Sequence, residues 1–141
     1  MGGFIFCIIA GAAMSIQGVM NTRLGESLGL AHANAFVQTT AALLSLAALL
    51  FFRDGSFARL GETSPVYMLG GALGLVITVT VMLGIKSLTP TVAISSILIA
   101  QLLVAALIDA FGLLGAEHAD FGLTKLLGVG LMISGVVVFK L

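Results

Sequence analysis

Charge is what this chain has least of. Asp, Glu, Lys and Arg make up 9% of its 141 residues, against about 25% in a typical soluble domain. With 60% of the residues apolar, too few polar side chains remain to cover a water-soluble fold of this size. The formal net charge is zero and no basic patch occurs. Electrostatic binding of nucleic acid is thereby excluded, because neutralising phosphates requires such a patch. Cysteine occurs once, as Cys7, so no intrachain disulfide can form, and a lone Cys in an apolar run packs as a small hydrophobe. No basic segment precedes the first apolar run, which continues past the small residues Ala10, Gly11, Ala12 and Ala13. A retained helix is expected there rather than a cleaved secretory signal.

What the chain does have is five long apolar stretches with short polar breaks. Crossing a hydrocarbon layer of roughly 30 Å takes about 20 mostly apolar residues at 1.5 Å per residue. The stretches predict helices over residues 4–22, 31–52, 66–86, 91–111 and 123–141. They are too long for strands, and in lipid only helices or closed barrels satisfy the backbone. Gly25, Glu26 and Ser27 are expected to break the first pair, Arg53 through Ser64 the second, Thr89 the third, and residues 112–122 the last. Pro65 and Pro90 suit first turns, where a missing N–H costs little. No connection is long enough to separate folded domains. The expected architecture is an all-α integral membrane protein, with residues 1–141 forming a single transmembrane domain of five helices.

Threading these helices alternately divides the six Lys and Arg evenly. Arg53, Arg59 and Lys125 fall on one face; Arg23, Lys86 and Lys140 fall on the other. Orientation is set by Lys and Arg in short loops, so a tie carries no topological instruction. The acids Asp54, Glu62, Glu117 and Asp120 gather on one face, but acids weigh little in that rule. A chain with no encoded orientation can insert both ways and pair head to tail. The alternative is that one strongly apolar helix dictates a single orientation. Many secondary transporters are built from two repeats of opposite topology around a midplane site, and an odd number of helices inverts each successive repeat. A five-helix chain inserted both ways would supply both halves as an antiparallel homodimer.

Polar groups inside the spans are the candidates for a substrate site, because hydrocarbon penalises leaving them unpaired. Gln101 lies near the middle of the fourth helix and can both donate and accept. Gln17 and Asn21 are four residues apart and therefore share a face of the first helix. Gln38, with Thr39 and Thr40, places a further polar cluster in the second. All four residues can equally act as interhelical glue, worth about 0.6 kcal/mol per hydrogen bond. Asp109 is the one acid within a span, about 12 Å of helix rise beyond Gln101. It is a candidate for binding a cation or carrying a proton, or else it reaches headgroup water or pairs with Lys125. Lys86 and Arg23 read as interfacial anchors.

Small residues mark surfaces where helices approach closely. Gly70 and Gly74, with Gly71 between them, form such a ridge in the third helix; Gly128, Gly130, Ser134 and Gly135 form one in the fifth. Both suit helix packing or dimerisation. The glycines around Gly70 are not a phosphate loop, since no Gly-Lys-Ser/Thr ending follows. Glu117, His118 and Asp120 do not make a recognisable metal motif, and neither Ser95 nor Ser96 has an obvious base. The sequence predicts no enzyme, cofactor or metal.

Taken together, Ala100-Gln101-Leu102-Leu103, Ile108-Asp109-Ala110-Phe111 and the group Gln17, Asn21 and Leu24 resemble the small YdcZ-type inner-membrane proteins of the drug/metabolite transporter superfamily. The resemblance covers nearly the whole chain in length and helix count. It implies that this chain is half of a ten-helix carrier in the inner membrane and exports a small molecule. In logic the chain is also similar to the small multidrug resistance proteins, antiparallel dimers with a membrane-embedded Glu in the first helix. Here Gln17 and Asn21 are the polar residues of that helix, so proton coupling through such a Glu is not carried over. The expected function is export by alternating access; the alternatives are a channel-like pore and a non-transporting membrane assembly protein. The expected partners are the lipid bilayer, a second copy and a small-molecule substrate.

Overall fold

Gly29 alone separates the first two long helices. In the computed structural model, which describes residues 2–52, 55–116 and 122–140, α1 runs from Gly2 to Leu28 and α2 from Leu30 to Ala48. The helix continues through Gly25, Glu26 and Ser27, where a break was expected. Glu26 Oε2 accepts a 3.0 Å hydrogen bond from Arg23 Nη1 one turn earlier, a spacing that supports helix. The Ser27 hydroxyl donates to the Arg23 carbonyl at 3.4 Å. The turn is deferred to Gly29, whose φ of 83° is open to glycine at no steric cost.

α2 ends at Ala48, four residues before the expected boundary, and turns follow it. A 3-10 segment at Phe57–Glu62 begins at Ser56, whose hydroxyl accepts from the Ala58 amide at 3.2 Å. Pro65 then opens α3 (Pro65–Met68), as a first-turn proline should, and α4 (Gly70–Ser87) follows after Leu69.

The residues up to Ser87 form one compact unit, in which α1, α2 and α4 pack against one another. Gly25 stands close to both Ala33 and Met82, while Gln38 stands close to Gly74 and Thr78. Moving up α2 therefore means moving down α4, so these two helices are antiparallel. Glu26 and Lys86 line one pocket with Gly29, so Arg23, one turn before Glu26, and Lys86 lie toward the same end of the unit.

Leu88 onward forms a second compact unit. α5 (Pro90–Phe111) is capped by Thr89, whose hydroxyl accepts from the Val92 amide at 3.5 Å. It ends on Gly112 in the left-handed region, with φ 59°, a common glycine stop. A short 3-10 turn, Leu113–Gly115, follows, and α6 (Leu123–Lys140) packs against α5. Arg53, Asp54, Glu117, His118 and Asp120 lie outside the described residues, as do the side chains of Lys125 and Lys140.

The described residues contain helices and no strand. Three stretches are long and apolar enough to cross a membrane: Gly2–Leu28, Pro65–Ser87 and Pro90–Phe111; Leu127–Phe139 is a shorter apolar helix. The outward faces are covered with large apolar side chains, among them Phe4 at 81% and Leu131 at 74% exposure. Water would penalise such surfaces, whereas lipid tails solvate them.

Candidate functional site

In the first unit, the buried residues include three polar ones, Asn21 and Thr22 on α1 and Asn34 on α2, as well as Gly18, Ala33, Met82 and Ile85. Thr22 donates to the Gly18 carbonyl at 2.8 Å. Among the described residues, Asn34 Oδ1 is buried with no hydrogen-bond partner, an arrangement that costs about 1–3 kcal/mol. Higher on α2, Gln38 Nε2 donates to Thr78 Oγ1 at 3.5 Å, and that hydroxyl donates to the Gly74 carbonyl at 2.8 Å. The first of these bonds links α2 to α4. Gly74 leaves the room for this approach, since a Cβ on it would lie 3.8 Å from Gln38 Nε2.

Gln17 and Asn21 part company here. Asn21 is buried, while Gln17 one turn earlier is exposed on the apolar outside of α1. Thr39 and Thr40 are also exposed, with Thr40 donating to the Phe36 carbonyl.

In the second unit, a groove of about 500 Å³ runs along α5 and α6. Leu102, Ala105, Ala106 and Asp109 line it from α5, and Gly128, Val129 and Met132 from α6. Asp109 is half-buried and is the one ionisable residue in this lining. Alanines on one wall and Gly128 on the other keep the groove open. Gln101 is exposed on the neighbouring surface of α5 rather than in the groove, and no described residue bonds to it.

The remaining predicted packing glycines face open space. No atom comes within 4 Å of a Cβ built on Gly70, Gly128 or Gly135. Close packing occurs elsewhere, at Gly18 and Gly25. A Cβ on Gly18 would meet Ile85 Cδ1 at 2.9 Å, and one on Gly25 would meet Met82 Sδ at 3.5 Å. Sequence reasoning passed over these two glycines and Asn34. The spacing Gly18, Thr22, Gly25 was the available signal for the first, and an asparagine within an apolar run was the signal for the second.

The family model described as "Putative inner membrane exporter, YdcZ" matches residues 2–138. The chain belongs to the YdcZ family. No curated protein and no solved structure matches it. Membership in the YdcZ family, with its long apolar helices, makes this a multi-pass protein of the inner membrane. The family description is that of an exporter rather than an enzyme. Among the described residues, no group of His, Cys, Asp and Glu could hold a metal ion.

Proposed function

We propose that this YdcZ-family protein exports a small molecule by alternating access, as an antiparallel homodimer of chains inserted in both orientations. Each chain forms a single transmembrane domain of five spans, so that α2 and α6 cross the bilayer along with the three longer apolar stretches. At 19 and 18 residues, these two helices reach about 27–29 Å at 1.5 Å per residue. The pair then makes a ten-helix inverted repeat, with the substrate path between opposite copies.

The observation that carries this reading is the exposure of Gln101 halfway along an apolar helix, with no bond to any described residue. A carboxamide left unpaired in hydrocarbon costs about 1–3 kcal/mol, so a midplane Gln on an outer surface calls for a partner chain or a polar substrate. Gln17, exposed on α1, makes the same demand. The open faces at Gly70, Gly128 and Gly135 leave room for another helix. Asp109 supplies an ion or proton site beside the path, Asn21 and Gln38 support its polar walls, and the balanced Lys and Arg count permits both orientations.

Disulfide trapping tests the arrangement. In a Cys7→Ser background, Q101C chains in native membranes are oxidised and compared with L131C chains, where Leu131 is also exposed. Efficient crosslinking of Q101C alone supports an interface at Gln101. Equal or absent crosslinking of both removes it.

A further inference from the structure

A second pocket, in the first unit, carries a different chemistry. It encloses about 290 Å³ between the C-terminal ends of α1 and α4 and the start of α2, and is lined by Thr22, Gly25, Glu26, Gly29, Leu30, Met82, Leu83 and Lys86. Two of these residues bear opposite charges. Glu26 uses one carboxylate oxygen, Oε2, in its ion pair with Arg23. Lys86 has no hydrogen-bond or ion-pair partner among the described residues, although Glu26 lines the same pocket. Of its lining, Thr22 and Met82 are buried, while Glu26, Leu83 and Lys86 are exposed. No side chain caps α2 at Gly29, so the first backbone N–H groups of α2 stay open where Gly29 and Leu30 line the pocket.

We infer that the pocket of Thr22, Glu26 and Lys86 binds a small zwitterion, with its anionic group at Lys86 and its ammonium at Glu26. An interfacial Lys needs only water around it, and so does an exposed Arg-Glu pair. Neither need explains why both charges border one pocket that reaches in to the buried Thr22 and Met82. The volume suits a compact molecule whose two charges are a few bonds apart. Two sources share this chemistry: a free amino-acid-like or aminophosphate metabolite, and the headgroup of phosphatidylethanolamine at the membrane surface. This site is independent of the Gln101 and Asp109 reading, so either can fail alone.

The test uses the full chain, purified in detergent, titrated calorimetrically with alanine and phosphoethanolamine, and with inorganic phosphate, acetate and ethylamine as singly charged controls. In parallel, native mass spectrometry compares retention of phosphatidylethanolamine and phosphatidylglycerol. The expected result is zwitterion binding about tenfold or more tighter than any control, weakened about tenfold by both Glu26→Gln and Lys86→Gln. Arg23→Gln breaks the ion pair but leaves the carboxylate, and should keep or tighten binding. Binding of the soluble zwitterions assigns a metabolite; selective retention of phosphatidylethanolamine alone, with the same dependence on both residues, assigns the headgroup. Three results overturn the inference: no selective binding of either source, inorganic phosphate binding as well as phosphoethanolamine, or E26Q and K86Q binding as wild type. A loss in R23Q equal to that in E26Q also overturns it, since the effect would then be structural.

Discussion

Gly18 sits where a single added carbon would lie 2.9 Å from Ile85 Cδ1 and 3.2 Å from Val81 Cγ1. This contact joins α1 to α4 and fixes the first unit from within. Ile85 offers the movable end of a flexible side chain, whereas Val81 is stiff at χ1. Gly18→Ala should therefore cost no more than about 1 kcal/mol, the crowding against Val81 being partly offset by better helix propensity. Gly18→Leu should destabilise by about 1–3 kcal/mol, as overpacking does. Gly11→Leu on the same helix has open space around it and should match wild type. Thermal unfolding in detergent, followed by helical circular dichroism, separates the three variants.

Among the described residues Met82 is the largest fully buried side chain, at 1% exposure, and it reaches toward Gly25 on α1. Met82→Ala should cost about 2 kcal/mol through the cavity it leaves. Leu131→Ala, on an exposed face, should change stability by less than about 0.5 kcal/mol. The same unfolding assay measures both.

The Gln38–Thr78 bond is long at 3.5 Å, so it should contribute little. A double-mutant cycle with Gln38→Leu and Thr78→Val should give a coupling near 0.6 kcal/mol, the average for membrane helices. A coupling above about 1.7 kcal/mol, the upper end of that range, would mean that Gln38 organises more than one bond.

The Asp109 groove allows fold and transport to be separated. Gly128 has open space around it within the chain, so Gly128→Leu should leave helix content unchanged while filling the groove and crowding any helix of a second copy that packs there. Export in whole cells or proteoliposomes should be abolished by it. Asp109→Asn, nearly isosteric, should preserve the fold and lower export at least about tenfold if the carboxylate binds the coupling ion. Unchanged export in both variants would remove the groove from the transport path.

How much of this was legible in the sequence depends on which interaction set each feature. Apolar length governs the long helices, and it located the cores of α1, α2, α4, α5 and α6. Their ends are governed by local contacts. Arg23 and Ser27 hold the helix through Gly25, and Gly29 supplies the positive φ that turns it, so a break expected at Gly25–Ser27 fell at Gly29. The interior of the first unit was harder to see. A small residue at a close contact and one on an open face look alike in sequence, which is why Gly70 and Gly128 stood out while Gly18 and Gly25 did not. For the candidate site, Asp109 was legible as the sole acid in the spans expected from sequence. Its groove depends on how α5 and α6 pack, which hydropathy does not encode.

The central claim is that the chain inserts in both orientations and works as an antiparallel pair. Reporters active on opposite sides of the membrane, fused in turn to the C-terminus, test this most directly. Lys residues added to one face at a time then bias each copy. The account predicts activity from both reporters in the parent chain, and loss of export in each biased variant alone with recovery when the two are coexpressed. Activity from one reporter only, with full export by a single biased variant, would contradict it.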